Sequence, residues 1–286
     1  MKIDGIDIPL LHQWVGKTES IQDVVHPALA AGMAAVLDRD AAPQAGEPLP
    51  PLWHWMVFWN TARQSELGHD GHAQRGKFLP PVPLPRRMWA GGRLNFLAPI
   101  DIGSALSRTS TIKAVDVKRG KSGDMVFVTV EHAISNADGI ALVEEHDIVY
   151  RDAPQGTRQT QPVQAPSGAT WTESVSPDPT LLFRYSALTF NGHRIHYDRS
   201  YATEVEGYPG LIVHGPLLAT LLVELAQRRM PGAAIKSFSF RAVSPLFDIE
   251  PFEICGEPPD ADGVVKLWAK NVRGELAMQA QAVLAM

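Results

Sequence analysis

Two short segments in the last third of the chain combine residue types that transfer protons and bind oxygen anions. Residues 189–198 (TFNGHRIHYD) carry two imidazoles and an amide, and residues 209–216 (PGLIVHGP) lead into a leucine-rich segment. If that segment is a helix, its first N–H groups lie a short loop away from the imidazoles. A proton-transfer group beside the positive end of a helix dipole is what chemistry on a carbonyl-containing substrate requires.

A helix is predicted over residues 216–229, because its apolar side chains recur on one face. These side chains are Leu217, Leu218, Leu221, Leu222 and Leu225. Pro216 fits the first helical turn, and Pro231 with Gly232 ends the segment. The N–H groups near Gly215 are unsatisfied donors, and a glycine lets a ligand approach the backbone closely. Two interpretations fit this pattern: a ligand-binding helix start, or a core helix that begins beside a glycine.

Short segments rich in β-forming residues surround this helix, each bounded by Gly, Pro or Asp. Strands are predicted over residues 92–98, 105–117, 124–136, 140–151, 235–243, 252–256, 264–272 and 276–284. The turn at residues 136–139 (NADG) predicts a hairpin, and residues 21–37 are predicted to form a second helix. This order is typical of an α+β fold in which an antiparallel sheet wraps around a helix.

The strand pattern occurs in both halves of the chain, which predicts two units, residues 1–151 and 169–286. Residues 152–168 between them are rich in Pro, Gln, Gly, Ser and Thr and contain almost no large apolar residue. A linker is therefore predicted there.

Composition indicates a soluble, compact protein. The chain has 286 residues, 45% hydrophobic and 20% charged, which permits a substantial core. Its formal net charge of −5 gives no electrostatic reason to bind nucleic acid. The single Cys255 excludes an internal disulfide and a thiolate zinc cluster, and no apolar stretch is long enough to span a membrane. We therefore expect a cytoplasmic protein with no nucleic-acid or membrane partner.

The spacing of residues 191–198, 213–215 and the following helix resembles the MaoC-like hydratases, also called hydratase 2 enzymes. Their pattern is Asp-x-Asn-Pro-Leu-His-x-Asp, a short loop, His-Gly and a central helix, and the resemblance covers roughly the last hundred residues. The first half resembles a subgroup similar to fatty-acid-synthase dehydratases and mesaconyl-CoA or itaconyl-CoA hydratases. That resemblance rests on residues 53–55 (WHW), 78–92 (FLPPVPLPRRMWAGG) and 144–150 (EEHDIVY).

This resemblance implies a double hotdog, in which each of two units is an antiparallel sheet wrapped around a helix. It also implies that the C-terminal unit carries the catalytic residues and the long central helix. The N-terminal unit is then non-catalytic and makes room for the acyl chain of a thioester substrate.

The same resemblance places the catalytic histidine at His196 and puts Asn191 where the family has its catalytic aspartate. Because an amide has no useful basicity near neutral pH, the family's two-residue account does not transfer unchanged. In one alternative, Asn191 orients the reacting water while His196 removes and returns the proton. In the other, His193 replaces the missing carboxylate. Gly215 is predicted to donate its N–H to the thioester oxygen, where negative charge develops.

Arg86, Arg87 and Arg194 are candidates to bind a free carboxylate on the acyl group, because a planar guanidinium pairs well with a carboxylate. The alternative is that they are surface charges beside a strand. Val213 and His214 are assigned to the substrate-binding segment, although His214 also fits a structural position before the helix. The remaining histidines singled out show no metal-ligand spacing and receive no role: His54, His69, His72, His132 and His146.

The function implied is a hydro-lyase that reversibly hydrates a short, branched or dicarboxylic 2,3-unsaturated acyl-CoA of the mesaconyl-CoA or itaconyl-CoA type. CoA enters as part of the substrate, no metal or redox cofactor is expected, and a homo-oligomer, specifically a homodimer, is expected. Two alternatives stay open. One is a 3-hydroxyacyl dehydratase acting on acyl carrier protein, and the other is a non-catalytic acyl-CoA-binding module, since a fold does not fix a function.

Overall fold

The computed structural model describes residues 2–3, 6–120, 123–152 and 161–285. Its strands are β1 (Lys2–Ile3), β2 (Ile6–Asp7), β3 (Thr18–Val24), β4 (Arg86–Phe96), β5 (Ala105–Gly120), β6 (Gly123–Asn136), β7 (Gly139–Arg151), β8 (Trp171–Val175), β9 (Ile235–Ala242), β10 (Phe252–Gly256), β11 (Val264–Asn271) and β12 (Leu276–Leu284). Its α-helices are α1 (Ile8–His12), α2 (Pro27–Val36), α3 (Pro179–Leu188) and α4 (Gly215–Arg229). Shorter helical turns are Trp53–Met56, Gln64–Glu66, Arg194–His196 and Tyr201–Val205. Among the described helices, none is long and apolar enough to cross a membrane.

Strands from both halves of the chain join in one antiparallel sheet of ten strands. The strand order is β3-β5-β6-β7-β4-β9-β12-β11-β10-β8. β4 pairs with β7 on one edge and with β9 on the other, so the two halves meet along this strand. The largest hydrophobic core cluster also contains residues of both halves, from Val25 to Ala282.

The central helix α4 packs against β10, β11 and β12 and buries one carboxylate along with its leucines. Leu217, Leu222 and Leu225 have no exposed surface. Glu224 is also buried, and it accepts hydrogen bonds from Trp53 Nε1 at 3.1 Å and from Arg39 Nε at 2.8 Å. A buried charge is tolerated when it is paired and hydrogen-bonded in this way. This contact ties α4 to the N-terminal half.

Two glycines let β4 lie close to its neighbours. A Cβ atom on Gly91 would lie 2.7 Å from the carbonyl oxygen of Phe240 on β9. A Cβ atom on Gly92 would lie 2.9 Å from the Phe240 ring and 3.0 Å from the carbonyl oxygen of Glu145 on β7. Side chains at these two positions would push the strands apart.

The predicted strands and central helix are confirmed, with small shifts at their ends. The hairpin at residues 136–139 is also confirmed, because Asn136 pairs with Gly139 across a two-residue loop. β4 begins six residues earlier than predicted, and β8 and α3 were not predicted. α3 has a recognisable start, since the Asp178 side chain accepts a hydrogen bond from the Leu181 N–H and Pro179 occupies the first turn.

The predicted helix over residues 21–37 is wrong in its first part. Residues up to Val24 belong to β3, which pairs with β5, and the helix begins only at Pro27. Side chains in β3 alternate between partly buried and exposed, which is the period of a strand. The predicted unit boundaries and the linker over residues 152–168 stay predictions, and residues 153–160 of that linker lie outside the described residues.

We predict that Gly91→Ala destabilises the protein, because the new methyl group meets a backbone oxygen that cannot move without breaking the β4–β9 pairing. Inserting a methyl group into a tightly packed site typically costs about 1–3 kcal/mol. Denaturant unfolding measures the loss. Met88→Ala is the matched control, since Met88 lies on the same strand with its side chain 39% exposed. A Gly91→Ala protein as stable as the control would contradict the close contact.

Candidate active site

The loop after α3 fixes the side chain of Asn191. Phe190 adopts a left-handed backbone conformation (φ 50°), which turns the chain after the helix. The Asn191 Oδ1 atom then accepts a hydrogen bond from the His193 N–H at 3.0 Å, a local turn that Asn favours. The amide oxygen keeps a second lone pair, so both Oδ1 and Nδ2 of Asn191 can contact a ligand.

One hydrogen bond determines the tautomer of His196. Its Nδ1 atom lies 2.7 Å from the carbonyl oxygen of Ile212. A carbonyl can only accept, so Nδ1 carries the hydrogen and Nε2 carries a lone pair. The ring is 7% exposed, and burial lowers the pKa of His196 from 6.5 to about 4 despite the opposing effect of the Ile212 carbonyl. His196 is therefore neutral at pH 7, with Nε2 free to accept a proton.

His214 is the N-cap residue of α4 and lies entirely in the interior. Its Nε2 atom is 2.8 Å from the Ser186 hydroxyl, and its ring stacks on that of His196 with centroids 3.8 Å apart. Val213 is 2% exposed and donates its N–H to the Leu246 carbonyl at 2.9 Å. The structure gives both residues a packing role. Their predicted role in substrate binding stays a prediction.

Gly215 begins α4, as the oxyanion hypothesis requires. In the part of the chain that the structure describes, no group accepts a hydrogen bond from its N–H. Pro216, which follows, has no N–H and lines the cavity described next. The helix start thus offers an unpaired donor at the positive end of the helix dipole. Its predicted role as an oxyanion donor stays a prediction.

A cavity of about 1010 Å³ opens beside this loop. Much of its wall is aromatic and comes from both halves of the chain: Trp55, Phe58, Trp59, Trp89, Phe183 and Phe190. Asn191, Gly192 and Pro216 add the polar loop and the helix start. His196 itself is not part of the described wall, although its chain neighbour Tyr197 is.

His193 lies between two other imidazoles. Its ring centroid is 5.5 Å from that of His196 and 4.2 Å from that of His72. Burial, followed by the charges of His72 and His196, lowers the pKa of His193 to about 2. A group that resists protonation so strongly is a poor candidate for the second base.

The three candidate arginines have different surroundings. Arg86 donates to the Glu206 carbonyl at 2.7 Å and pairs with its carboxylate at 3.0 Å, so its charge is used inside the protein. Arg194 lines the cavity but pairs with Asp198 at 2.7 Å. Arg87 also lines the cavity, beside Tyr150, and no carboxylate among the described residues forms an ion pair with it. Arg87 is therefore the arginine with charge available for a ligand.

The first half contributes a buried polar cluster that sequence reasoning missed. Glu144 is 2% exposed, and its Oε2 atom lies 3.2 Å from His54 Nε2, 3.0 Å from Trp55 Nε1 and 3.1 Å from His146 Nε2. Burial alone would raise the pKa of Glu144, but His146 and His54 hold it well below its usual range. The alternation of inward- and outward-facing residues along β6 and β7 could have indicated this cluster. The pairing of these two strands places His132 opposite Glu144 on the buried face.

A second cluster joins residues 68–72 to residues 189–198, the proposed catalytic loop. It includes His72, which sequence reasoning left without a role. Asp70 Oδ2 lies 3.2 Å from His72 Nδ1. The nitrogen and oxygen atoms of Asp70, His72 and His193 that could bind a metal ion all lie within 4.8 Å of one another. Sequence spacing missed this set because its members come from two distant segments. His132, Glu144 and His146 form a similar set.

Neither set is proposed as a metal centre. The positive charge of Arg87 acts on Asp70, His72 and His193 and opposes a cation there. In the other set, His132 Nδ1 already lies 2.8 Å from the Ser110 hydroxyl, and Glu144 already accepts the hydrogen bonds described above. The expectation that no cofactor is needed stays a prediction.

Three features of this structure are those of the MaoC-like hydratases and dehydratases. They are a sheet shared by two halves, a central helix with an imidazole stacked at its start, and an aromatic cavity beside them. Comparison with known proteins agrees. Residues 52–248 match the family described as hydroxyacyl-thioester dehydratase type 2. The chain belongs to this family and is a hydro-lyase, an enzyme that adds water to or removes it from acyl thioesters.

Two curated relatives and two solved structures illustrate the likeness. The chain is 49% identical to mesaconyl-C(4)-CoA hydratase of Chloroflexus aurantiacus, over 86% of this chain and 88% of that protein. It is 28% identical to the mitochondrial hydroxyacyl-thioester dehydratase type 2 of Schizosaccharomyces pombe, over 72% and 77%. A MaoC-like dehydratase of Phytophthora capsici shares its fold with a TM-score of 0.72, 14% identity and 98% coverage of each chain. A Mycobacterium tuberculosis protein with a double hotdog fold gives a TM-score of 0.59 at 14% identity, over 95% and 96%.

We predict that acid destabilises this protein partly through His196. Between pH 6.5 and about 4, the unfolded chain binds a proton that the buried imidazole refuses, so the free energy of unfolding falls as the pH falls. From pH 7 to pH 5 this one residue accounts for about 2 kcal/mol. Denaturant unfolding measures the fall in the free energy of unfolding between pH 7 and pH 5. This fall is smaller by that amount in His196→Gln, whereas in His26→Gln, which replaces an exposed histidine, it equals that of the wild type. Equal acid dependence in all three proteins would contradict the buried neutral imidazole.

Proposed function

We propose that this chain hydrates a short, branched 2,3-unsaturated acyl-CoA that carries a free carboxylate, of the mesaconyl-CoA type. The observation that carries the proposal is the His196 tautomer, which leaves an Nε2 lone pair beside the start of α4. The 49% identity to a mesaconyl-C(4)-CoA hydratase supports this substrate class. Itaconyl-CoA belongs to the same proposal, as do the expected cytoplasmic location and homo-oligomeric state.

The proposed reaction needs one base and one oxyanion donor. His196 Nε2 takes a proton from water as the water oxygen bonds to the β-carbon. The electron pair of the carbon–carbon double bond moves towards the thioester oxygen, where the Gly215 N–H stabilises the negative charge. The proton then passes from Nε2 to the α-carbon, which completes the addition of water and restores neutral His196. Reversal of these steps gives dehydration.

Arg87 provides the proposed specificity for a dicarboxylic acyl group. When CoA is attached at C4 of a mesaconyl group, the free carboxylate is bonded to the same carbon that receives the hydroxyl group. The carboxylate must therefore lie close to the catalytic loop, and Arg87 is the cavity arginine whose charge reaches His72 and His193 there. A guanidinium binds such a carboxylate with two parallel hydrogen bonds.

We predict that purified protein hydrates mesaconyl-CoA and that His196→Gln lowers kcat by roughly 10²–10⁴-fold, the usual contribution of a general base. Absorbance of the conjugated thioester follows turnover. The panel includes itaconyl-CoA, crotonyl-CoA and 3-hydroxyacyl thioesters of CoA and of acyl carrier protein. His26→Gln is the control, because His26 is exposed before α2. Preference for the carrier-protein thioesters would indicate the alternative dehydratase, and binding without turnover would indicate a binding module.

We predict that Arg87→Gln separates substrates by charge. Loss of a hydrogen-bonded ion pair to the carboxylate corresponds to about 1.5–3 kcal/mol, so kcat/KM for mesaconyl-CoA falls by roughly 10- to 100-fold. The value for uncharged crotonyl-CoA changes little. Arg86→Gln is the matched control, because the neighbouring Arg86 is already paired with Glu206. Equal losses for both substrates in Arg87→Gln would show that Arg87 does not read the carboxylate.

A further inference from the structure

Residues 68–72 are built onto the catalytic loop through a contact between two glycines. A Cβ atom on Gly71 would lie 1.9 Å from the Gly192 carbonyl oxygen, and Gly71 has a φ of 87°, which favours glycine. The Asp70 carbonyl accepts a hydrogen bond from the Arg194 N–H at 3.0 Å. The His69 carbonyl accepts one from Arg194 Nη1, also at 3.0 Å. These contacts hold His72 in a fixed place beside the catalytic loop.

The Asp70 carboxylate orients the His72 ring. Its Oδ1 atom accepts the His72 backbone N–H at 3.0 Å, and its Oδ2 atom lies 3.2 Å from His72 Nδ1. Burial would raise the pKa of Asp70, but the hydrogen bond and charge of His72 lower it well below its usual value, so the carboxylate is ionised. An ionised carboxylate can only accept, so Nδ1 carries the hydrogen and the His72 Nε2 atom carries a lone pair.

His72 also lies on the wall of the cavity. His72 is part of the described cavity wall together with Asn191, Gly192 and Arg87. Its ring is in contact with that of His193, at the edge of the catalytic loop. The His72 imidazole and the Asn191 amide therefore lie on the wall of the same cavity.

We infer that His72 Nε2 replaces the carboxylate absent at residue 191 as the second acceptor for the reacting water, and that Asp70 positions it. This inference rests on the proposed function. One water proton passes to His196 Nε2, as described above, and returns to the α-carbon. The other proton stays on the oxygen and is held by His72 Nε2, which directs the oxygen lone pair at the β-carbon. The N-terminal half, expected to be non-catalytic, then supplies a catalytic residue.

The charges around His72 favour this role. The groups that face it are Asp70, Arg75, Arg87 and His193. Burial and the positive charge of Arg87 lower the pKa of His72, against the opposing effect of Asp70. His72 is therefore neutral at pH 7, as an acceptor must be.

The test measures kcat and KM for mesaconyl-CoA in His72→Gln and Asp70→Asn. Misplacing a reacting group by about 1 Å can cost 10²-fold, so we expect kcat to fall roughly 10- to 100-fold in His72→Gln, with KM within a fewfold of wild type. In Asp70→Asn, the amide can donate to His72 Nδ1 and turn Nε2 into a donor, so kcat falls while the fold is kept. His26→Gln is the control, because it removes an exposed imidazole just before α2 that is not part of the described cavity wall.

A double variant separates this role from mere support of the loop. Because an aspartate would repel the carboxylate of mesaconyl-CoA, this test uses uncharged crotonyl-CoA. If His72 stands in for a carboxylate at residue 191, Asn191→Asp restores kcat for crotonyl-CoA at least fivefold in the His72→Gln protein and gives no gain in His26→Gln. A packing defect would not be repaired by that change. The inference is overturned if His72→Gln keeps wild-type kcat, or if it is folded by circular dichroism and Asn191→Asp does not restore it. In either of these outcomes, the wild-type protein still hydrates its substrate and only the role of His72 is lost. A wild-type protein that hydrates no thioester would instead overturn the proposed function.

Discussion

The position of β4 between two partner strands is the constraint on which the site depends. Hydrogen bonds to β7 and β9 hold both of its edges, and Gly91 and Gly92 remove the side chains that would keep those strands apart. Arg87 and Trp89 precede these glycines two residues apart, so they project to the same face of the strand, and both line the cavity. The sheet therefore holds the Arg87 cation and the Trp89 ring beside the proposed catalytic loop, which lies about a hundred residues later in the chain.

Much of the fold could be predicted because its signals are local. β10 ends at Gly256, Asp262 and Gly263 precede β11, and Gly274 lies in the turn between β11 and β12. The leucines of α4 repeat with a helical period. The helix over residues 21–37 was mispredicted because Ile21 and Val24 suit a helix and a strand equally well, and only the pairing of β3 with β5 decides between them. α3 was missed although its sequence carries helical signals. Leu181, Leu182, Tyr185 and Leu188 recur on one face, and Asp178 and Pro179 mark the start.

Candidate site residues could be named from the sequence only where a single segment carries them. His196, Asn191 and Gly215 lie close together in the sequence, and the resemblance to a family singled them out, but their catalytic roles stay predictions. The clusters that contain Asp70, His72 and Glu144 form through contacts between distant segments. The sequence around a loop histidine does not indicate which side chains it will contact in the folded protein. Val213 and His214 were assigned to the substrate-binding segment because they precede Gly215, and the structure shows that both side chains are buried.

On the proposed substrate, the loss of a carboxylate at residue 191 has an electrostatic reason. A free carboxylate on the reacting carbon would be repelled by an aspartate beside it, and in a cavity of low dielectric that repulsion is larger than in water. Asn191 removes the negative charge while keeping the shape of the side chain. The acceptor then has to be neutral, and His72, kept uncharged by burial and by Arg87, meets that requirement. Its partner Asp70 stays within the positive field of the same arginine. On this proposal, the negative charge of the substrate explains three features together: the cation of Arg87, the amide at residue 191 and the neutral acceptor His72.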